Sequence, residues 1–319
     1  MSILLVGSAI LSCCSNVVFL EVFIRDVPGS GNLITFFQFL FIACEGFIFT
    51  TNFGRVKPVV PLKNYLVLVI MFFATSVLNN WALNFDISMP LHMIFKSGSL
   101  VTSMLLGMLI LKKRYTFSKY VSVLMVSVGI FIATWASQSI NNKMQNTKRE
   151  NMFSENQSLI GISLLTLALL ISAGLGIYQE RIFKKYGKHP KEALFYSHAL
   201  PLPGFLLFKD IYSLLPSLSK SEVIYIIPPI GLPKLWLCLL GNVITQYICV
   251  RTVFTIAARF SSLDVTMIIT CRKFISLLFS IFYFQNPFTA LHWFGTFLVF
   301  AGSLLFADVI NLRRKEKIN

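Results

Sequence analysis

MPLHMIFKSGSLVTSMLLGMLILKKR, residues Met89–Arg114, is apolar enough to span a bilayer, yet Lys96 sits inside it. A lysine at membrane depth costs roughly 2.5–3.5 kcal/mol on insertion scales, so it needs a reason to be there. The chain repeats the arrangement. LDVTMIITCRKFISLLFSIFYF, Leu263–Phe284, is a second apolar stretch, with Arg272 and Lys273 near its middle. Aligning Lys96 with Lys273 also aligns Ser99 with Ser276 and Leu100 with Leu277. A short loop and another apolar helix follow each stretch: Thr116–Ala133 in one case, Thr289–Leu305 in the other. There Thr116 pairs with Thr289, Tyr120 with Trp293 and Gly129 with Gly302, in a register about one helical turn away from that of the lysines. Two membrane helix pairs, each with a buried cation, predict a transporter for an anion.

Composition sets the class. Of 319 residues, 55% are hydrophobic and 13% charged, with a mean hydropathy of +0.73. A typical soluble domain carries about 25% charged residues. A transmembrane barrel would alternate polarity in segments of about ten residues, and the long continuous apolar runs exclude it. The net charge of +15 reads as loop lysines and arginines enforcing topology, not as a nucleic-acid surface. All six cysteines, Cys13, Cys14, Cys44, Cys238, Cys249 and Cys271, lie in apolar runs without CxxC spacing. They read as small buried hydrophobes, neither disulfides nor metal ligands. The four histidines form no metal motif, and no cofactor is expected. The N-terminal apolar run lacks a basic leader and reads as a span, not a cleaved signal.

At about 20 apolar residues per span, the chain accommodates about ten. They are Ile3–Ile24, Leu33–Thr51, Tyr65–Phe85, the Met89 stretch, Phe117–Trp135, Leu159–Tyr178, Ala193–Leu215, Leu235–Ala257, Leu263–Phe284 and Ala290–Ile310. Pro201 and Pro203 interrupt the seventh and should kink it, because proline removes an N–H. An irregular loop is expected from Pro216 to Pro233. The polar stretch Ser137–Ser158 is the longest break. The expected fold is therefore an all-α polytopic membrane protein whose helices form two inverted five-helix repeats. Residues 1–136 form the first repeat, 137–158 a polar lumenal linker, 159–311 the second repeat and 312–319 a basic cytosolic tail. With the N-terminus cytosolic, the cytosolic loops carry Arg55, Lys57 and Lys63, then Lys112, Lys113 and Arg114, then Arg181, Lys184, Lys185, Lys188 and Lys191. The opposite side carries fewer cations, so both termini are placed in the cytosol. Inverted repeats put a substrate site near the midplane at their interface.

Lys96 and Lys273 lead the candidate residues. Two ammonium groups facing a water-filled space neutralise a phosphate or diphosphate; the competing roles are snorkelling or pairing with Glu45. Arg272 points about 100° away around the helix, towards an acid such as Glu45 or Glu21 or towards the same cavity. Phe195-Tyr196-Ser197-His198 suits a planar base: a ring stacks, while serine and histidine read base edges or ribose hydroxyls. The alternative is an interfacial aromatic belt. Asn16, Asn79, Asn80, Asn242, Thr245, Gln246 and Tyr247 are polar residues on apolar helices, suited to interhelical hydrogen bonds or to sugar contact. Gly174 and Gly176 read as packing or hinge positions. Asn156-Gln157-Ser158 is a glycosylation sequon, too close to the sixth span to be used. Lys315 and Lys317 match a dilysine retrieval pattern, an address that coat proteins read on a cytosolic tail.

Three segments carry a family resemblance: Cys13-Cys14-Ser15-Asn16-Val17-Val18-Phe19-Leu20-Glu21, the run from Tyr186 through Glu192 to Gly204, and Phe282-Tyr283-Phe284-Gln285-Asn286-Pro287-Phe288-Thr289. With them the chain resembles the nucleotide-sugar transporters of solute carrier family 35, subfamily B, in the drug/metabolite transporter superfamily. The resemblance covers nearly the whole chain. It implies ten helices in two inverted repeats, and antiport of a cytosolic UDP-sugar, UDP-N-acetylglucosamine and/or UDP-xylose, against lumenal UMP in Golgi or endoplasmic reticulum membrane. It implies phosphate-binding lysines on spans four and nine, which Lys96 and Lys273 match, and a base-reading aromatic–Tyr–polar motif on span seven. Here Ser197 replaces that motif's asparagine. Thr270-Cys271-Arg272-Lys273 stands where GDP-mannose carriers have Gly-Ala-Leu-Asn-Lys, which argues against that specificity. The alternatives are a carrier of another nucleotide or phosphorylated metabolite, and a membrane-embedded enzyme. No loop carries an acidic metal motif or a nucleophile constellation, which argues against the enzyme.

Overall fold

In lipid every backbone N–H and C=O must be satisfied within the segment, so continuous apolar runs fold as helices. The computed structural model describes residues 2–307 apart from 86, 113, 147–152, 188, 228–229 and 260–261. The elements in chain order are α1 Ser2–Asp26, α2 Gly31–Phe49, α3 Leu62–Ala82, α4 Met89–Phe95, a 3₁₀ turn Lys96–Gly98, α5 Ser99–Leu111, α6 Phe117–Asn146 and α7 Phe153–Tyr186. Then come α8 Pro190–Ala199, α9 Leu202–Phe205, α10 Lys209–Ser219, strands β1 Val223–Ile227 and β2 Ile230–Pro233, α11 Lys234–Arg259, α12 Ser262–Phe284 and α13 Ala290–Phe306. Among the described residues, seven helical segments are long and apolar enough to cross a membrane, and α13 is a shorter apolar helix. Leu109, Phe131 and Phe297 stand out from these helices, 75%, 67% and 67% exposed; on a spanning helix that exposure is lipid contact. The protein is an all-α, multi-pass membrane protein with one small ribbon of strand.

The chain forms two compact units, residues 1–81 with 175–255, and residues 82–174 with 256–319. Each draws on sequence from both sides of the central polar stretch. In the first unit, Phe23, Leu33, Ile34, Phe205 and Leu218 make a fully enclosed core. Between helices in lipid such a core contributes through close van der Waals packing, not through removal from water. Phe39 stacks on Phe72 at 5.4 Å and meets Phe205 edge-on at 5.2 Å. Helix α2 approaches α8 so closely that a Cβ on Gly46 would lie 2.6 Å from the Phe195 ring.

In the second unit, α6 and α13 pack along their length by small residues. A Cβ on Gly129 would meet the Gly295 carbonyl at 2.5 Å and Val299 at 2.8 Å; a Cβ on Gly302 would meet the Ser122 carbonyl at 2.8 Å and Val126 at 2.9 Å. These two sets of contacts exchange when Gly129 is swapped for Gly302, Ser122 for Gly295 and Val126 for Val299. Partner numbers fall along α13 as they rise along α6, so the helices are antiparallel. Reciprocity of this kind is the signature of a two-fold relation. The sequence register that paired Gly129 with Gly302 is thus repeated in space.

Several expectations need correction. Cys13 and Cys249 form a disulfide between α1 and α11, with Cα atoms 4.8 Å apart. A partnership across 236 residues leaves no local spacing to read. Span seven is not kinked but broken into α8, α9 and α10; Pro201 and Pro203 remove two N–H donors within a single turn, where α8 gives way to α9. The expected loop from Pro216 is helix as far as Ser219, with Pro216 inside α10, and then an antiparallel ribbon with Val223 opposite Pro233. Lys234 closes that ribbon through its N–H to the Glu222 carbonyl (2.8 Å), and its ammonium reaches Asp26 at the end of α1 (2.7 Å). Lastly, Gly176 serves no close packing, since nothing lies within 4 Å of a Cβ placed on it. Helices α6 and α7 also overrun their expected ends, into the polar stretch and, for α7, on to Tyr186.

Candidate functional site

The cations gather in the second unit. Ser88 caps α4, its hydroxyl accepting from the Leu91 N–H at 3.4 Å, and Pro90 occupies the first turn. Seven residues later the helix tightens into the 3₁₀ turn that begins at Lys96 and ends at Gly98. A Cβ on Gly98 would lie 3.1 Å from Ile130 and 3.2 Å from Leu169, so this turn is pressed against its neighbours. Phe95 and Ser97 are buried on either side of Lys96, which is itself exposed. Lys96 therefore keeps accessible surface while its two chain neighbours are enclosed. A 3₁₀ turn inside a helix is a frequent mark of a functional position.

Lys273 and Arg272 lie on the uninterrupted helix α12, both half-buried. Arg272 is close enough to both lysines for their charges to repel, and the two lysines repel each other. Among the described residues neither lysine makes an ion pair. Three cations within electrostatic reach of one another concentrate positive charge, the complement of a multiply charged anion. One turn before Lys96, His92 is 3% exposed, and its Nε2 has no hydrogen-bond partner among the described residues. Its sequence context gave no hint of this.

The aromatic candidates belong to the first unit, on the ten-residue helix α8. Tyr196 is half-buried and stacks on Tyr65, ring centroids 4.8 Å apart and planes 24° from parallel. Phe195 meets Tyr196 edge-on at 4.9 Å and fills the hollow over Gly46. Ser197 donates to the Leu194 carbonyl at 3.0 Å. His198 is buried: its Nδ1 lies 2.8 Å from the same carbonyl, and its ring packs against the stacked pair Phe39 and Phe72 at 4.6 and 5.3 Å. Of the four, Phe195 and Tyr196 present rings, while Ser197 and His198 spend their polar atoms on their own helix. Glu192 adds a tie that the motif did not reveal. It accepts from the Val59 and Val60 N–H groups at 3.0 Å each and from the Tyr65 hydroxyl at 2.9 Å.

Asn80 bridges α3 to α2, its amide donating to Asn32 at 3.1 Å and to Thr35 at 2.9 Å. Asn16 and Asn242 exchange side chain-to-backbone hydrogen bonds at 2.9 and 3.1 Å, and Gln38 donates to Asn242 at 2.6 Å. Glu45, weighed from sequence as a counter-ion for the lysines, accepts from the Tyr247 hydroxyl at 2.8 Å and lies 3.9 Å from Arg251. Lys315 and Lys317 lie outside the described residues.

Comparison with known proteins adds the context. The family model described as "UAA transporter family" matches residues 1–310. The chain is 56% identical over 305 residues to the "UDP-xylose and UDP-N-acetylglucosamine transporter" of Danio rerio, covering 94% of this chain and 92% of that one. It is 50% identical over 311 residues to the "Endoplasmic reticulum GDP-fucose transporter" of Drosophila melanogaster, covering 94% and 88%. A solved crystal structure superposes with a TM-score of 0.58 at 15% identity, covering 98% of both chains; that likeness concerns the fold alone.

Proposed function

The chain belongs to the UAA transporter family, and from that premise we propose that it carries UDP-N-acetylglucosamine and/or UDP-xylose from the cytosol into the endoplasmic reticulum or Golgi lumen in exchange for UMP. Family membership makes it a transporter and not an enzyme. The observation that carries the cargo class is the grouping of Lys96, Arg272 and Lys273 on membrane helices of one unit. A diphosphate offers several oxygens to such a cluster, and charge-assisted hydrogen bonds are roughly twice as strong as neutral ones. In this reading Lys96 and Lys273 engage the phosphates and Arg272 adds charge. The uracil lies beside Tyr196, with Phe195, Ser197 and His198 shaping the surroundings and Asn80 holding its helix. The full architecture in this reading is ten helices in two inverted five-helix repeats, with residues 137–158 lumenal and both termini cytosolic. The dilysine tail offers coat proteins their retrieval signal. Transport proceeds by alternating access, the bound anion shifting the population between inward- and outward-open states.

One observation favours a second reading: a relative 50% identical is named for GDP-fucose. Likeness at this level spans a uridine and a guanosine cargo, so identity alone does not choose the base. The test is uptake of labelled UDP-N-acetylglucosamine, UDP-xylose and GDP-fucose into proteoliposomes of the purified protein, preloaded with UMP or with GMP. UMP-stimulated uptake of either UDP-sugar, with little GDP-fucose, is the expected result. GMP-stimulated uptake of GDP-fucose without UDP-sugar would replace the proposal with the second reading.

A further inference from the structure

We propose that Glu192 is a positioning residue for nucleotide recognition, acting through Tyr65 on Tyr196; this rests on the reading of Tyr196 as the base contact. The argument begins with α8 itself. It is ten residues long, starts at Pro190 and breaks at Ala199. An isolated helix of that length has no stability of its own, so ties to neighbours set its orientation. Glu192 and Tyr196 are one turn apart and share a face of the helix. Both meet the same residue of α3: Tyr65 gives its hydroxyl to Glu192 at 2.9 Å and its ring face to Tyr196 at 4.8 Å.

Tyr65 is only 1% exposed and packs with Val60, Leu68, Ile182 and Ala193. It cannot swing, so the stack holds Tyr196 against a fixed wall. The second carboxylate oxygen of Glu192 binds the Val59 N–H, and the first also accepts from Val60, which is fully buried. One carboxylate thus takes three hydrogen bonds and locks the start of α8 to the segment entering α3. Tyr196 keeps a half-buried surface beyond this stack. Glu192 does not meet the cargo in this scheme; it sets the angle at which the tyrosine meets it.

The experiment measures concentration-dependent uptake of UDP-N-acetylglucosamine into UMP-loaded proteoliposomes for wild type, Tyr65→Phe, Glu192→Gln, the double variant and Tyr196→Leu. Thermal unfolding midpoints are recorded for each. Tyr65→Phe keeps the ring and the stack but severs the link to Glu192, and it is the variant least able to disturb folding. Glu192→Gln keeps one oxygen acceptor and should lie between wild type and Tyr65→Phe.

The expected result is KM raised about threefold to tenfold in Tyr65→Phe with Vmax within about twofold of wild type, the pattern of lost binding geometry. The double variant should cost less than the sum of the two single changes, because both weaken the Tyr65–Glu192 link and only the bond to the Val59 N–H is lost in addition. The preference for UMP over GMP as competitor should fall in parallel. If Tyr196→Leu raises KM while Tyr65→Phe and Glu192→Gln lower only Vmax, or act additively, the positioning role is overturned and the base contact stands. If Tyr196→Leu leaves KM unchanged, the base contact fails and this inference fails with it.

Discussion

Lys273 tests the phosphate reading at the scale of one side chain. It stands on an unbroken apolar helix, repelled by Lys96 and Arg272, so the empty site is electrostatically costly. A lysine set among cations adds repulsion that no ion pair among the described residues offsets. Lys273→Ala should therefore leave the thermal unfolding midpoint unchanged or slightly higher. Its loss should raise KM for a UDP-sugar roughly tenfold to a hundredfold, the equivalent of one charged hydrogen bond at about 1.5–3 kcal/mol. Uptake kinetics and differential scanning fluorimetry on the same preparation check both signs. Wild-type KM in a folded Lys273→Ala would remove the lysine from the site, and a collapsed midpoint with unaltered KM would make it structural. Lys96 and Lys273 were legible in the sequence because a cation in an apolar run is an anomaly with a known cost. Tyr65 and Glu192 were not, because their significance lies in a contact across 127 residues. His198, two residues after Tyr196, packs its ring against Phe39 and Phe72, a contact the motif does not announce.

Among the elements, α6 and α13 carry the clearest mechanical statement. Their glycines face one another's backbone, where no flexible side chain can yield. Gly129→Ala puts a methyl 2.5 Å from the Gly295 carbonyl, and the helices must part, at about 1–3 kcal/mol for overpacking. Gly176→Ala places the same methyl in open space on α7 and should stabilise by roughly 0.5–1 kcal/mol through helix propensity. Unfolding midpoints moving in opposite directions are the expected outcome; a rise in both would show that helix propensity, not the α6–α13 contact, governs both sites. Gly129 and Gly302 were legible as a pair because the chain repeats itself at this offset. Helix existence was legible throughout, since an apolar run in lipid has little alternative. Helix ends and breaks were less so. The 3₁₀ turn at Lys96 is pressed against Ile130 and Leu169 at Gly98, contacts that no local sequence pattern announces; the prolines of span seven marked a disturbance but not its division into three helices. The Cys13–Cys249 bond and the β1–β2 ribbon are tertiary facts: apolar surroundings made those cysteines look like mere packing residues, and the prolines near 216 and 233 looked like loop punctuation.

For the molecule as a whole, the proposed antiport predicts that exchange is obligatory, because Lys96 and Lys273 make no ion pair among the described residues. A carrier that must close around an empty site confines Lys96 and Lys273 away from water without a counter-ion, whereas a loaded carrier brings the cargo's phosphates with it. The empty return step should therefore be the slow one. A barrier higher by roughly 2–3 kcal/mol slows it by roughly thirtyfold to a hundred-and-fiftyfold. Differential binding sets how far a ligand can relieve this, so relief should follow the charge it supplies. Uptake of UDP-N-acetylglucosamine into proteoliposomes should be fastest with UMP inside. Inorganic phosphate, which neutralises the lysines but lacks a base, should give partial stimulation. Uridine, which has the base and no charge, should give almost none. That ordering would assign the exchange requirement to the cations. Strong stimulation by uridine would move it to the base-binding side around Tyr196, and sustained uptake at full rate into empty vesicles would show that the carrier returns unloaded despite its lysines, ending the case for strict antiport.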